Sequence, residues 1–201
     1  KTIWDQVDIA HYKQMMESSE KLREQYAALQ RAMDERITQP LAIPQPRRNE
    51  QGKWEHISAR EVGGRHNKLA LDIANLGIVY AFSGEDKYAN FAKKLLLAYA
   101  EAYPNYGVGA RKGFAHDPSK VFDQRLGDAT WLIQVARGYD LIYNSPMTDA
   151  ERRRIEDELI KASAWFITKN RHVLNKATNW SAICAPAVLI AGVATDDQAL
   201  I

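Results

Sequence analysis

Residues 69–103 read LALDIANLGIVYAFSGEDKYANFAKKLLLAYAEAY, and this stretch decides the fold. Its first half places Leu69, Ile73, Leu76, Val79 and Tyr80 at helical spacing, the mark of a helix with a broad buried face. Ser83-Gly84-Glu85-Asp86 breaks the pattern with a turn and a new helix start. Tyr88, Phe91, Leu95, Leu96 and Tyr99 then resume the period until Pro104, which lacks the backbone N–H a helix needs. The segment is one helical hairpin.

Outward from it the same unit recurs. A Gly-rich loop, Asn105 to Ser119, leads to a helix at about Asp123 to Tyr143. Thr148-Asp149-Ala150-Glu151 opens another that reaches Asn170, and a further one runs from near Asn179 to Ala194. Thr148-Asp149-Ala150-Glu151 and Thr195-Asp196-Asp197-Gln198 both fit the capping box, in which two side chains satisfy each other's orphan backbone donors. On the N-terminal side, Trp4 to Arg36 is rich in strong helix formers and reads as one or two helices. Gln39 to Gly52, with Pro40, Pro44 and Pro46, is an extended connection.

Polarity assigns the layers. Val188 to Val193 is nearly continuous in apolar and small residues and belongs inside. Asp149 to Lys161, which carries Glu151, Arg152, Arg153, Arg154, Glu156, Asp157, Glu158 and Lys161, belongs outside. Repeated inner–outer hairpins stack into a superhelix or close into a double ring. No strand-like alternation of convincing length is present. The expected fold is all-α, with residues 1–57 as an N-terminal helical segment and Pro-rich connection and residues 58–201 as the hairpin domain.

Composition narrows the function. Of 201 residues, 46% are hydrophobic and 26% charged, as in an ordinary globular protein. Twenty-seven basic against twenty-five acidic residues leave +2, which argues against a dedicated nucleic-acid binder. The lone Cys184 excludes an internal disulfide framework and a cysteine zinc cluster, and its apolar run, Ile183 to Ile190, suits a buried inert thiol. No apolar run approaches the ~18 residues of a membrane span. No signal peptide is visible, and a chain that begins at Lys1 is compatible with a leader already removed. The histidines are scattered without H-x-x-x-H or H-x-E spacing, and neither a phosphate loop nor G-x-S-x-G occurs. Neither metal nor cofactor is expected.

If hairpins alternate, the inner helices all run one way and their N-termini open onto one rim. Three polar segments lie at those starts: Arg60 to Lys68, Phe122-Asp123-Gln124-Arg125, and Lys176-Ala177-Thr178-Asn179-Trp180. Converging helix N-termini offer partial positive charge and free N–H groups, which suit anions. Arg60, Arg65, Lys68 and Arg125 add full charges, and Trp180 and Phe122 offer flat faces for a sugar ring. Together they describe a groove for an acidic polysaccharide. Plainer readings stand beside this one. Asn179 also suits an N-cap and Trp180 a core position. Arg125 with Asp128, and Glu61 with Arg65, have the spacing of helix-surface pairs. His66, His116 and His172 read as surface or satisfied polar residues, and Asp117-Pro118 as a turn.

Three stretches resemble the helical domain of heparinase II/III-like lyases and the related alginate and oligoalginate lyases. The first is His66-Asn67-Lys68 through Phe82-Ser83-Gly84-Glu85-Asp86-Lys87-Tyr88-Ala89 to Leu96-Leu97-Ala98-Tyr99-Ala100-Glu101-Ala102-Tyr103-Pro104. The second is Phe122-Asp123-Gln124-Arg125-Leu126 with Ala129-Thr130-Trp131-Leu132 and Tyr139-Asp140-Leu141-Ile142. The third is Thr178-Asn179-Trp180-Ser181-Ala182-Ile183-Cys184. The resemblance covers roughly Ser58 to Ile201. It implies the first part of an α/α toroid, secretion or a periplasmic location, and β-elimination on uronate-containing glycans. It further implies that Asn179 grips the uronate carboxylate. Gln124 and Arg125, with His66, Arg65 and Trp180, are implied to lie on the substrate side of the cleft. Many alginate lyases have histidine where this chain has Trp180, so a neighbouring-histidine role is not carried over. The family's catalytic tyrosine and a further histidine usually follow later in the chain, and Tyr103, Tyr106, Tyr139 and Tyr143 are not expected to replace them. The competing readings are a glycoside hydrolase on a similar helical ring, using rim carboxylates such as Glu61 and Asp123, and a non-catalytic helical module that binds glycan or protein.

Overall fold

The computed structural model describes residues 3–113, 115, 117–169, 174 and 178–201. It is all-α apart from one minimal hairpin. Helix α1 (Gln6–Ser18) and α2 (Glu20–Thr38) are separated at Ser19, whose extended backbone and side chain, accepting from Leu22 N–H, cap the second helix. Two-residue strands β1 (Arg47–Arg48) and β2 (Trp54–Glu55) pair antiparallel within the Pro-rich connection. They are too short to leave an alternating pattern in the sequence.

The hairpin of residues 69–103 forms as α3 (Ala59–Ser83) and α4 (Asp86–Ala102). Gly84 closes α3 in the left-handed region (φ 74°) and donates its N–H to Tyr80 O at 2.8 Å, a cap that an L side chain would strain. Pro104 sits in a 3-10 turn (Tyr103–Asn105) that ends α4. Helix α5 (Arg125–Leu141) follows the long loop. The next helix begins as α6 (Asp149–Arg153) on a Thr148–Glu151 capping box, widens into a π-helical stretch (Arg154–Lys161) and ends as α7 (Ala162–Thr168). Helix α8 (Asn179–Thr195) is the last. Thr195 does not open a further helix. It ends α8 with its hydroxyl on Ala191 O, and the chain turns back through Asp196 in the left-handed region.

Packing separates two layers. Helix α3 packs on α5 and α5 on α8, while α4 lies on α3 and on the π-helical stretch. The first and last turns show that the α3–α5–α8 layer is parallel. Near the N-termini, His66 on α3 meets Phe122 just before α5. Near the C-termini, Gly77 of α3 faces Gly138 and Leu141 of α5. Arg125, at the start of α5, lies within electrostatic reach of Cys184, early in α8. Helices α1 and α2 pack outside α3, and Met33 and Ile43 join the same apolar core as the later helices. The described part of residues 1–57 therefore shares a core with the hairpins it precedes.

Helices α3 and α5 approach closely because glycines face each other. A Cβ on Gly138 would stand 2.6 Å from Ile73 O and 2.7 Å from its carbonyl carbon, both backbone atoms of the neighbouring helix. Gly64, also in α3, has nothing within 4 Å of such a Cβ. Gly138→Ala is expected to lower unfolding free energy by about 1–3 kcal/mol, as overpacking does. Gly64→Ala is expected to raise it by about 0.5–1 kcal/mol through helix propensity. Urea denaturation of both variants tests this, and similar effects of one sign from both would contradict the close approach.

Candidate active site

The first polar segment opens α3. His66 is 2% exposed, its Nδ1 2.9 Å from the Tyr99 hydroxyl. Its ring is boxed by Tyr99, Tyr106 and Phe122, with centroids at 5.8, 5.6 and 6.0 Å. Burial, and secondarily the charge on Arg65, pull its pKa down to about 4. It is a neutral histidine beneath the surface, not an open substrate contact, because its ring is the centre of an aromatic box. Its neighbours on the helix face outward. Arg60, Arg65 and Lys68 are exposed, and Lys68 Nζ lies 3.3 Å from Asp72. Glu61 pairs with Arg47 at 2.9 Å, which leaves Arg65 without an ion pair among the described residues.

The second segment is built around two buried aspartates, Asp117 and Asp128, whose spacing pointed only to a turn and a helix-surface pair. Asp128 accepts the backbone N–H groups of Lys120, Val121 and Phe122 at 2.8, 3.2 and 2.9 Å, folding the loop over the first turns of α5. Burial pushes its pKa up to about 7 against the pull of those N–H groups and of Arg125. His56 Nε2 and the Ser119 hydroxyl both donate to Phe122 O, which fixes the proton of that imidazole on Nε2.

Asp117 is fully buried and accepts the Arg125 backbone N–H at 3.0 Å. Its other oxygen stands 3.7 Å from Arg125 Nε as an ion pair. Arg125 is 1% exposed, with Nη1 donating to Ile167 O and Nη2 to Pro118 O at 3.3 and 3.2 Å. The expectation of an open cation at Arg125 is therefore corrected. Its guanidinium ties α5, the preceding loop and the end of α7 to one another. Nor do the helix-surface pairs hold, since Asp128 serves the loop and Asp117 serves Arg125. Asp117-Pro118 looked like a turn because nothing local in a sequence reveals a partner eight residues on.

Gln124 takes the N-cap position of α5 with extended backbone. Its half-buried amide makes no hydrogen bond among the described residues, so both its donor and acceptor remain available.

The third segment opens α8. Thr178 takes the N-cap position and donates its N–H to Ser181 Oγ at 3.3 Å. Asn179 is thus the first helical residue and not the cap. Its carboxamide is exposed and has no hydrogen bond among the described residues. Trp180 is half-buried against the core. Lys176 and Ala177 lie outside the described residues, as do His116 and His172.

The parallel inner layer puts the starts of α3, α5 and α8 at one end of the molecule. That end presents Arg60, Arg65, Lys68, Gln124 and Asn179, while His66 and Arg125 are buried. Tyr103, Tyr106 and Tyr139 are buried, and burial raises each of their pKa values. None is an accessible base. Cys184 is a buried free thiol, pushed up to about 11 by burial. Among the described residues no group of three or more His, Cys, Asp or Glu is placed to hold a metal ion, and no helix is long and apolar enough to cross a membrane.

A layer of parallel inner helices backed by outer helices, with polar groups gathered at the inner helix starts, defines an all-α helical-hairpin protein. Within that class the alginate lyase family model matches residues 11–201, and the chain belongs to that family. It is 28% identical over 195 residues to a protein named exo-oligoalginate lyase from Saccharophagus degradans (strain 2-40), covering 96% of this chain and 25% of that one. It is 28% identical over 143 residues to a protein named alginate lyase from Stenotrophomonas maltophilia (strain K279a), covering 69% of this chain and 19% of that one. The chain spans about a quarter or less of the length of these relatives.

Two outcomes follow from these buried groups. A histidine whose folded pKa lies below its unfolded value near 6.5 contributes stability that is complete above that pH and is lost as pH falls toward 4. The wild type should lose up to about 3 kcal/mol over that window relative to His66→Gln, whose profile lacks this term. Parallel denaturation series at pH 7, 5.5 and 4.5 check it, and superimposable slopes would count against the buried neutral ring. Arg125→Met should cost about 3–5 kcal/mol of stability, because it strands the Asp117 carboxylate. Asp117→Asn combined with Arg125→Met should recover part of that loss, and an added loss instead would show that the two are not partners.

Proposed function

We propose that the protein to which these residues belong is a polysaccharide lyase that cleaves alginate, or a closely similar uronate glycan, by β-elimination. The single observation that carries this reading is the match to the alginate lyase family over residues 11–201. The geometry supports it: Asn179, Gln124 and unpaired cations share one end of the molecule, at the starts of parallel helices.

The reaction dictates what such an end must do. A uronate C5 proton is weakly acidic while the adjacent carboxylate is ionised, because removing it places more negative charge on the same group. Hydrogen bonds and cations at the carboxylate stabilise the enolate-like species. A base then takes the C5 proton, the electron pair forms the C4–C5 double bond, and the C4–oxygen bond breaks as that oxygen gains a proton. Asn179 supplies an uncommitted amide donor to the carboxylate, with the partial positive charge at the start of α8 behind it. Gln124 supplies a second amide from the start of α5. Both amides stay neutral across the pH range and need no proton transfer of their own.

The α/α toroid remains part of this proposal, supported by the parallel inner layer, and so does a secreted or periplasmic location, supported by the resemblance and the size of the polymer. Hydrolysis fits less well. Of the two rim carboxylates named for it, Glu61 is held by Arg47, which leaves Asp123 without that partner, and the buried Asp117 and Asp128 face the protein.

In the full-length enzyme, Asn179→Ala should lower kcat on alginate by about a hundredfold or more, followed through the ultraviolet absorbance of the new double bond. Near-normal turnover would remove Asn179 from its role. Reducing ends released by the wild type without that absorbance would replace elimination by hydrolysis.

A further inference from the structure

A hollow of about 320 Å³ lies where the end of α4, the loop before α5 and the helix that ends as α7 meet. Tyr103, Lys120, Glu158, Trp165, Phe166 and Lys169 are among its walls, and neither Asn179 nor Gln124 lines it. Glu158, Trp165, Phe166 and Lys169 recur at helical spacing, so one stripe of a single helix supplies that side. The Phe166 ring stands 5.7 Å from the Arg125 guanidinium carbon, which sets the hollow beside the start of α5.

Lys120 is held in position from both ends. Its backbone N–H donates to Asp128 Oδ2 at 2.8 Å. Its ammonium sits 4.4 Å from the centre of the Tyr103 ring and donates to Pro104 O at 3.4 Å. That long bond is its only one among the described residues, so two of three N–H donors remain. Burial pulls its pKa down against the pull of Asp128, and the charge on Lys169 adds to the fall. Neither lysine has an ion pair among the described residues, and Glu158 is held by Arg154 at 3.6 Å. Two like charges thus share a hollow whose carboxylate wall is committed elsewhere.

An anion that accepts the spare N–H donors relieves that repulsion and forms charge-assisted bonds. Trp165 adds the second requirement. It is 44% exposed, a large aromatic surface left in water, and the C–H face of a sugar ring is an apolar surface that it can cover. A cationic edge beside an aromatic face fits a sugar that carries a carboxylate.

We propose that this hollow is an auxiliary subsite that holds one carboxylated sugar of the glycan, with its carboxylate at Lys120 and Lys169 and its ring against Trp165. It rests on the glycan reading above and deepens it, giving the polymer a grip beside the gathered amides.

Fluorine NMR of the full-length protein labelled with fluorotryptophan tests the subsite without turnover, because free sodium D-glucuronate has no linked sugar to expel. Trp165→Phe identifies the Trp165 signal. In the wild type that signal should move saturably with glucuronate and stay still with D-glucose, ionic strength being held constant with sodium chloride. Lys120→Gln should raise the half-saturating glucuronate concentration about tenfold or more, the loss of one charge-assisted contact. Lys94→Gln, which removes the same charge from an exposed position on α4, should leave it unchanged. The remaining tryptophan signals report the fold. If Lys120→Gln disturbs them, Lys169→Gln, on an exposed lysine, takes its place with the same expectation. A Trp165 signal indifferent to glucuronate, or one that responds equally to glucose, overturns the subsite. So does a half-saturation that the hollow's lysine variant leaves in place or that Lys94→Gln shifts as far. An equal response to sodium sulfate overturns the assignment to a sugar. Failure of the lyase reading appears elsewhere, as wild-type protein that forms no unsaturated product.

Discussion

The close approach of α3 and α5 at Gly77 and Gly138 is the constraint on which the rest depends. Backbone meets backbone there, so the two helices have little freedom to slide or tilt. With the C-terminal halves locked, the N-terminal ends are fixed in height, and Gly63 meets the Phe122 ring just before α5. Helix α8 packs on α5, with Cys184 in its first half within electrostatic reach of Arg125 at the start of α5. Three helix starts consequently share one end, although their residues are far apart in the chain.

The polar groups at that end divide into two kinds. Arg125, Asp117, Asp128 and His66 are withdrawn from solvent and satisfied largely by one another or by backbone. They set the shape of the loop before α5, because each buried charge demands partners in a fixed geometry. Asn179, Gln124 and Arg65 are left without such partners among the described residues. Buried groups that fix the loop and helix starts, with uncommitted amides at the same end, hold recognition groups still while leaving their donors accessible.

Membership of the alginate lyase family gives this division a chemical sense. In the proposed reaction the donors that stabilise added negative charge must be preorganised, and amides at helix starts meet that condition.

The sequence by itself determined the helices, their hairpin order and the inner–outer division, because periodicity and capping are local and each was written in neighbouring residues. The hairpin at Leu69 to Tyr103 and the Thr148–Glu151 box were legible for that reason, and so were the three polar helix starts. Spacing alone left Asn179 as either cap or ligand. The structure gives the cap to Thr178. Only tertiary contact made Arg125 a buried tie and His66 the centre of an aromatic box, and only tertiary contact gave Asp117 and Asp128 loop-building roles and paired Arg36 with Asp72. Whether a charge faces water or a partner depends on which distant segment lies against it, and no local pattern along a chain records that.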